Sequence, residues 1–411
     1  MEAGAIGVYM ALFLALYFEV FLLISFFEKR PLARTGELPK TYPTTTIIVP
    51  CWNEGGTIGG TLESLLALDY PEDRLSIMVV NDGSTDNTGA VAAEYAERYP
   101  SRIEYFEKEN GGKWTALNFG IARTKTELVG CLDADSFVAR DALVEIIKTM
   151  ENDPEIMAIT PAMKVNSPRR MIELMQATEY TFGIFFKKMF DNLSAISVLP
   201  GPFSFYRREI FDKIGMFKHA HNTEDMEIAF RMHLHGLKIA NAHTAYVYTN
   251  VPKTVRTLVK QRTRWSQGFL QNSQDYAHMY FNRKYGNFGM LILPVGLLGF
   301  AAALYSALYL VYRLVSAIVA KVSSLMATGI PLSLPSPRLD WFYVDTSVML
   351  FLTLTALVLT FVAVMLGQRI AETRLGVRHL ASYFLLFGFI APLWLFRAAW
   401  GALLAQESAW R

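Results

Sequence analysis

The chain has 411 residues, 52% of them hydrophobic and 18% charged, with a formal net charge of +2. That length exceeds one small domain, and the apolar excess argues against a wholly soluble protein and for a membrane protein with a sizeable soluble part. The near-neutral charge leaves a nucleic-acid partner without electrostatic support, and Cys51 and Cys131, each at the end of an apolar run, read as buried reduced thiols and not as a disulfide framework.

Residues 5–27, AIGVYMALFLALYFEVFLLISFF, are apolar apart from Glu19 and long enough to cross a bilayer. A cleaved signal peptide would begin with basic residues, carry a shorter core and end on small residues. This segment follows Glu2 and runs into EKRPLAR, so it reads as a retained anchor. Three more spans are expected near 289–312, 342–366 and 380–403. Lys29, Arg30 and Arg34 after the first span, and Arg369, Arg374 and Arg378 between the last two, mark cytoplasmic ends. The link at 317–340, with Pro and Ser and few charges, reads as external. The consistent arrangement has both termini outside and residues 30–287 inside. It divides the chain into an anchor and linker (1–35), a cytoplasmic domain (36–285) and a membrane region (286–411). Glu19 and Arg397 fall within or near apolar spans, where such residues face protein or water. Each could line a conduit, although an interfacial helix end suits Arg397 at least as well.

From 44 to 160 the pattern alternates. Apolar runs at 44–50, 75–80, 102–106, 127–132 and 156–160 read as strands, and the stretches near 57–68, 86–98, 113–124 and 140–151 read as helices. This alternation predicts an α/β domain with a mostly parallel sheet covered by helices on both faces. Ligands in such sheets bind at the carboxyl ends of the strands. Three polar clusters fall there: NE (53–54), NDGSTDNT (81–88) and DAD (133–135). One polar turn means little, but three after strands of one sheet suggest a shared cleft.

Each cluster has a plain alternative. NDGSTD suits a tight turn, with Asp86 or Thr85 capping the next helix; that leaves Asp82 unexplained, and its carboxylate could accept bonds from a nucleotide base or ribose. GGKWTALN (111–118) lacks the spacing of a P-loop, and alone it is better read as a flexible turn, though Lys113 could face a phosphate. On an extended segment Asp133 and Asp135 would point the same way, and hard oxygen ligands suit Mg²⁺ or Mn²⁺; D-x-D turns are also common. In HNTEDMEIAFRMHLHG (221–236), capping by Thr223 or Asn222 could account for Glu224 and Asp225, while Asp225 could also be a general base. His233 and His235, two apart on a helix, do not share a face, so solvent exposure is expected. Gln261, Arg264 and Trp265 sit at i, i+3 and i+4 of an expected helix. They could meet a diphosphate and a sugar ring, or simply belong to an amphipathic helix on the membrane surface. Segments 171–190 and 253–278 are both candidates for such interface helices.

Taken in order, VPCWNE, NDGSTD, GGKWTALN, DAD, TED and QRTRW resemble the membrane-embedded family-2 glycosyltransferases, among them the synthases of poly-N-acetylglucosamine, hyaluronan, chitin and cellulose. The resemblance covers roughly residues 44–275. It implies a GT-A-like nucleotide-sugar domain and an inverting, metal-dependent mechanism. By that resemblance Glu54 and Asp82 would hold the nucleoside of a UDP-sugar and Lys113 would lie near its phosphates. Asp133 and Asp135 would be the D-x-D pair on Mg²⁺ or Mn²⁺, with Asp135 the direct ligand. Asp225, with Glu224 beside it, would take the proton from the acceptor hydroxyl. Gln261, Arg264 and Trp265 would brace the leaving UDP and the acceptor end. The implied donor is UDP-GlcNAc or UDP-glucose, the acceptor a polysaccharide carried across the bilayer, and a small membrane subunit is a possible partner. The chain lacks a cyclic-dinucleotide-binding extension, and one N-terminal span stands where poly-N-acetylglucosamine synthases usually show two. GPFSFYRRE (201–209) resembles the acceptor-side loop without naming the sugar. Two other readings remain: a non-processive enzyme adding one sugar to a lipid, and a catalytically idle membrane partner or sensor.

Overall fold

The computed structural model describes residues 3–29, 38–329 and 348–404. The chain forms two compact units, one of residues 1–24 and 295–363, the other of residues 25–294 and 364–411. Residues 364–404 cluster with the sheet.

In the second unit, eight strands form one sheet in the order β3-β2-β1-β4-β7-β6-β8-β5. They are β1 (Thr45–Cys51), β2 (Leu75–Asp82), β3 (Ile103–Lys108), β4 (Leu128–Cys131), β5 (Ser136–Val138), β6 (Ile156–Val165), β7 (Ser204–Arg207) and β8 (Lys238–Thr249). β3, β2, β1 and β4 run parallel, β7 is antiparallel to both β4 and β6, β6 and β8 are parallel, and β5 closes the edge antiparallel to β8. The sheet is therefore mixed, with parallel pairing dominant in its first half.

Alternate residues of the central strands enter different cores, as strand geometry requires. Ile47, Val49, Ile77 and Val79 pack against α2 (Ile58–Leu66) and α5 (Ala142–Asn152), while Ala92 adds α3 (Thr88–Arg98) to that side. Ile48, Met78 and Val80 pack against α4 (Lys113–Arg123), α7 (Glu209–Ile214) and α8 (Glu224–Leu234). Helices on both faces leave the strand ends as the open edge. Cys51 and Cys131 are buried free thiols, and burial pushes both up to about 12.

The two expected interface helices are α6 (Met171–Asn192) and α9 (Val255–Asp275). α12 (Val377–Leu403) packs against both through Met175, Leu258, Val259, Tyr383, Ile390 and Trp394. His233 corrects an expectation. It is not solvated but stacks on Phe288 at 4.0 Å and shares a hydrogen bond with the Ile196 carbonyl at 2.8 Å. Burial lowers its pKa to about 4. His235 is exposed, as expected.

The first unit holds α1 (Ala3–Glu28), α10 (Leu293–Thr328) and α11 (Val348–Ile370), as far as residues 24, 295 and 363 bound it. With α12 these are, among the described residues, the four helices long and apolar enough to cross a membrane. Glu19 accepts a hydrogen bond from Thr360 Oγ1 at 2.7 Å, joining α1 to α11. α10 continues well past the expected end at 312, to Thr328, because no Gly or Pro falls between Tyr312 and Gly329. The expected link therefore begins later than 317, and its remainder from 330, like residues 342–347 of the next span, lies outside the described residues.

Candidate active site

The polar turns after β1 and β2 are built from bonds to one another. Asn53 adopts a left-handed φ of 55°, donates its N–H to Ser84 Oγ at 3.0 Å and accepts from the Thr85 N–H at 2.8 Å. The Glu54 N–H donates to Thr88 Oγ1 at 2.7 Å, and the Glu54 carboxylate accepts from the Thr57 hydroxyl at 2.8 Å. Neither Asp86 nor Thr85 is the N-cap of α3; Asn87 is. Asp86 instead accepts from the backbone N–H groups of Thr88 and Gly55, at 3.0 and 3.1 Å.

Asp82 ends β2 with 3% exposure, and protein donors surround its carboxylate. Gly111 and Gly112 donate their N–H groups at 3.1 and 2.8 Å, and Lys108 Nζ lies at 2.5 Å. Gly112 has a φ of 89°, which a side chain would strain. Asp82 thus braces the glycine turn that launches α4, whose first residue is Lys113. The sequence reading missed Lys108; its signal was a second lysine five residues ahead of Lys113.

Lys113 stands between carboxylates. Its Nζ pairs with Asp133 Oδ1 and lies 4.0 Å from Glu224 Oε1. Burial alone would lower its pKa, but Asp133 and Glu224 outweigh that and hold it above the ordinary lysine value. Asp133 and Asp135 are not on extended chain as expected. β4 ends at Cys131, and the Ser136 N–H closes a turn onto the Asp133 carbonyl at 3.0 Å. Gly201 packs directly on the ion pair: a Cβ there would meet Asp133 Oδ1 at 2.6 Å and Oδ2 at 2.9 Å. The loop of GPFSFYRRE is therefore part of this site.

Asp225 is the second residue of α8. Thr223 holds the N-cap position, but its side chain does not cap the helix as expected. Its hydroxyl donates to the Ala220 carbonyl at 2.9 Å and accepts from Asn272 of α9 at 2.9 Å. Just before it, Ala220, His221 and Asn222 all take left-handed φ, at 43°, 56° and 59°, a run of sparsely populated geometry of the kind that collects at functional sites. Loss of solvent pushes Asp225 up to about 6, Glu224 adds to the rise, and Lys113 and Arg264 oppose it. Lys187 of α6 was also missed, since it reads only as one of two lysines in an amphipathic run. Its ammonium donates to Thr160 Oγ1 at 3.2 Å. Burial lowers it to about 8 against the pull of Asp225.

On α9, Gln261, Arg264 and Trp265 occupy one helical turn, as expected. Arg264 Nη1 donates to the Asn222 carbonyl at 3.4 Å, next to the TED turn. Gln261 Oε1 is buried without a hydrogen-bond partner among the described residues. The Arg262 guanidinium sits 4.1 Å from the centre of the Trp265 ring.

Among the described residues no group of three or more His, Cys, Asp or Glu is placed to hold an ion. Asp133 and Asp135 supply hard oxygens in one turn beside a lysine. That set fits a divalent cation which takes its remaining oxygens from water and a diphosphate, and does not fit a closed all-protein site. The cluster as a whole combines a carboxylate of raised pKa with three cations, a fit for proton abstraction beside developing negative charge.

Residues 46–215 match the sequence model for glycosyl transferase family 2. Curated relatives include poly-beta-1,6-N-acetyl-D-glucosamine synthases. One from Staphylococcus epidermidis is 32% identical over 54% of this chain and 54% of that protein, and one from a second strain is 30% identical over 62% and 63%. One from Staphylococcus aureus is 33% identical over 54% of each chain. The matches thus span less than two thirds of the relatives' length. Among solved structures, a mannosyltransferase from Pyrobaculum calidifontis in complex with GDP-mannose and Mn²⁺ aligns with a TM-score of 0.66 at 21% identity, over 99% of both chains. That likeness shows a shared fold.

Proposed function

We propose that this chain, a member of glycosyl transferase family 2 through residues 46–215, transfers a sugar from a UDP-sugar to the end of a growing polysaccharide at a membrane. The observation that carries the reading is Asp225, a carboxylate of raised pKa set against Glu224, Lys113 and Arg264. In a single displacement, an acceptor hydroxyl attacks the anomeric carbon as the bond to the leaving diphosphate oxygen breaks, and the configuration inverts. Asp225, ionised at neutral pH, takes the hydroxyl proton. Lys113 and Arg264 meet the charge that gathers on the diphosphate. A divalent cation held by Asp135 and Asp133 would add Lewis-acid stabilisation of the same oxygens.

Glu54 and Asp82 are assigned to the nucleoside side, with Asp82 acting largely through the glycine turn it braces. Gln261 has an orphaned oxygen to offer a substrate hydroxyl, and Trp265 offers a ring face to the acceptor sugar. The sheet unit would lie in the cytoplasm, where nucleotide sugars are found, and the spans would pass the product outward. The similarity to poly-N-acetylglucosamine synthases favours UDP-GlcNAc as donor.

The test incubates membranes containing the full chain with radiolabelled UDP-GlcNAc, UDP-glucose and GDP-mannose, with Mg²⁺ or Mn²⁺, and sizes the product. A polymer from one UDP-sugar is expected. A single sugar on lipid would replace the processive reading by a lipid glycosyltransferase, and no nucleotide release from any donor would overturn the enzyme reading.

A further inference from the structure

Arg262 lies within the QRTRW run, between Gln261 and Arg264, and has no part in the chemistry above. It is 5% exposed. One carboxylate answers its charge: Nη2 donates to Glu179 Oε2 at 2.9 Å, from α9 across to α6. Its Nε has no hydrogen-bond partner among the described residues. The guanidinium carbon lies 4.1 Å from the Trp265 ring centre and 5.9 Å from that of Tyr180. The Tyr180 hydroxyl also bonds the Arg262 side chain. Even so, a buried ion pair is often no better for stability than apolar side chains of the same volume, so its geometry asks for another account. Arg262 and Trp265 are three apart on one helix, so the guanidinium covers one face of the indole. Glu179 anchors that guanidinium from the neighbouring helix. The anchor sets the plane of the guanidinium, and the guanidinium sets the tilt of the ring.

We propose that the Glu179–Arg262 pair is the positioning element for Trp265, and that it presents the indole face away from the guanidinium as a platform for the terminal sugar of the acceptor. This rests on the reading of Trp265 as an acceptor-side residue. The ligand is a pyranose ring that lays its C–H face on the indole. Arginine is required because its flat guanidinium can stack and pair at once, whereas a lysine ammonium is a point charge with no plane.

The experiment uses the full chain in nanodiscs, with its UDP-sugar donor and short oligosaccharides of the donated sugar as acceptors. Glu179→Gln and Arg262→Lys are expected to raise the acceptor KM about tenfold and to shorten the product. The Kd for UDP should stay within about twofold, because the donor side is untouched. Trp265→Ala should raise the acceptor KM as well, and adding Glu179→Gln to it should change little further, since both act through one ring. An unchanged acceptor KM in active Glu179→Gln enzyme overturns the proposal. So does a parallel loss of UDP binding, or full additivity with Trp265→Ala. If Arg262→Lys does not accumulate, Glu179→Gln alone carries the same decision. A wild-type chain that releases no nucleotide from any donor fails at the earlier step and overturns the functional reading itself.

Discussion

Two regions at the strand ends of the sheet treat their polar groups in opposite ways. In the parallel half, β3-β2-β1-β4, the turns satisfy one another: Asn53 with Ser84 and Thr85, Glu54 with Thr57 and Thr88, Asp82 with two glycine N–H groups and Lys108. Where the end of β4 and the start of α4 meet α6, α8, α9 and the loop before β7, charges of both signs are stacked without being evenly matched. Lys113 serves two carboxylates, Asp225 has a raised pKa, Gln261 keeps a buried oxygen unpartnered among the described residues, and Lys187 has a hydroxyl where a carboxylate would suit it. A satisfied network is rigid, and an under-satisfied one is costly until a ligand completes it. The difference teaches that the first region is built in advance, and that the second, under the proposed function, would be completed by substrate.

The comparison breaks first at Asp225. Asp225→Asn should lower turnover about 10³-fold, within the usual range for losing a general base, while the Kd for UDP measured by titration stays nearly unchanged. The variant should also be more stable at pH 7.5 by about 1–3 kcal/mol in denaturant unfolding. The sign follows from the raised pKa: such a group favours the fold while protonated and loses that contribution as pH rises through about 6. For the wild type, kcat/KM should fall as pH drops below about 6, where the base becomes protonated.

Asp82 tests the first region. Asp82→Ala strands two N–H groups and takes from Lys108 its carboxylate partner, and should lower stability by about 3 kcal/mol with a matching weakening of UDP binding. A stable variant with intact binding would mean the glycine turn does not need its brace. Gly201→Ala comes next. The added methyl must displace the Lys113–Asp133 pair, so turnover should drop about 10- to 100-fold with thermal unfolding little changed. An active Gly201→Ala enzyme would separate that loop from the chemistry. His233→Phe is the smallest. It removes one hydrogen bond to Ile196 and should lower stability by about 1 kcal/mol, leaving turnover as it was.

Much of the parallel half was legible in the sequence, because it obeys local rules. β1 to β4 and α2 to α5 were readable from apolar runs and turn residues, and the clusters at 53–54, 81–88 and 133–135 do fall at strand ends. The second half was less legible for physical reasons. β7 has four residues and β5 three, too short for a period, and β8 mixes alanine, asparagine and histidine, so its burial comes from tertiary packing. The D-x-D turn was misjudged as extended because nothing in CLDADSFV marks where the strand stops. Capping was overread at Thr223, whose hydroxyl is claimed by Asn272, 49 residues on. Lys187, Gly201 and Glu179 matter through contacts distant in sequence, so no local pattern distinguishes them.

Nucleotide release by wild type and Asp225→Asn, measured side by side with UDP-GlcNAc and Mn²⁺ from pH 5 to pH 8.5, tests the central claim most directly. The account predicts that wild type releases UDP with an acid limb near pH 6, and that Asp225→Asn binds UDP but releases almost none from the sugar donor at any pH. Equal release by the two proteins would contradict it.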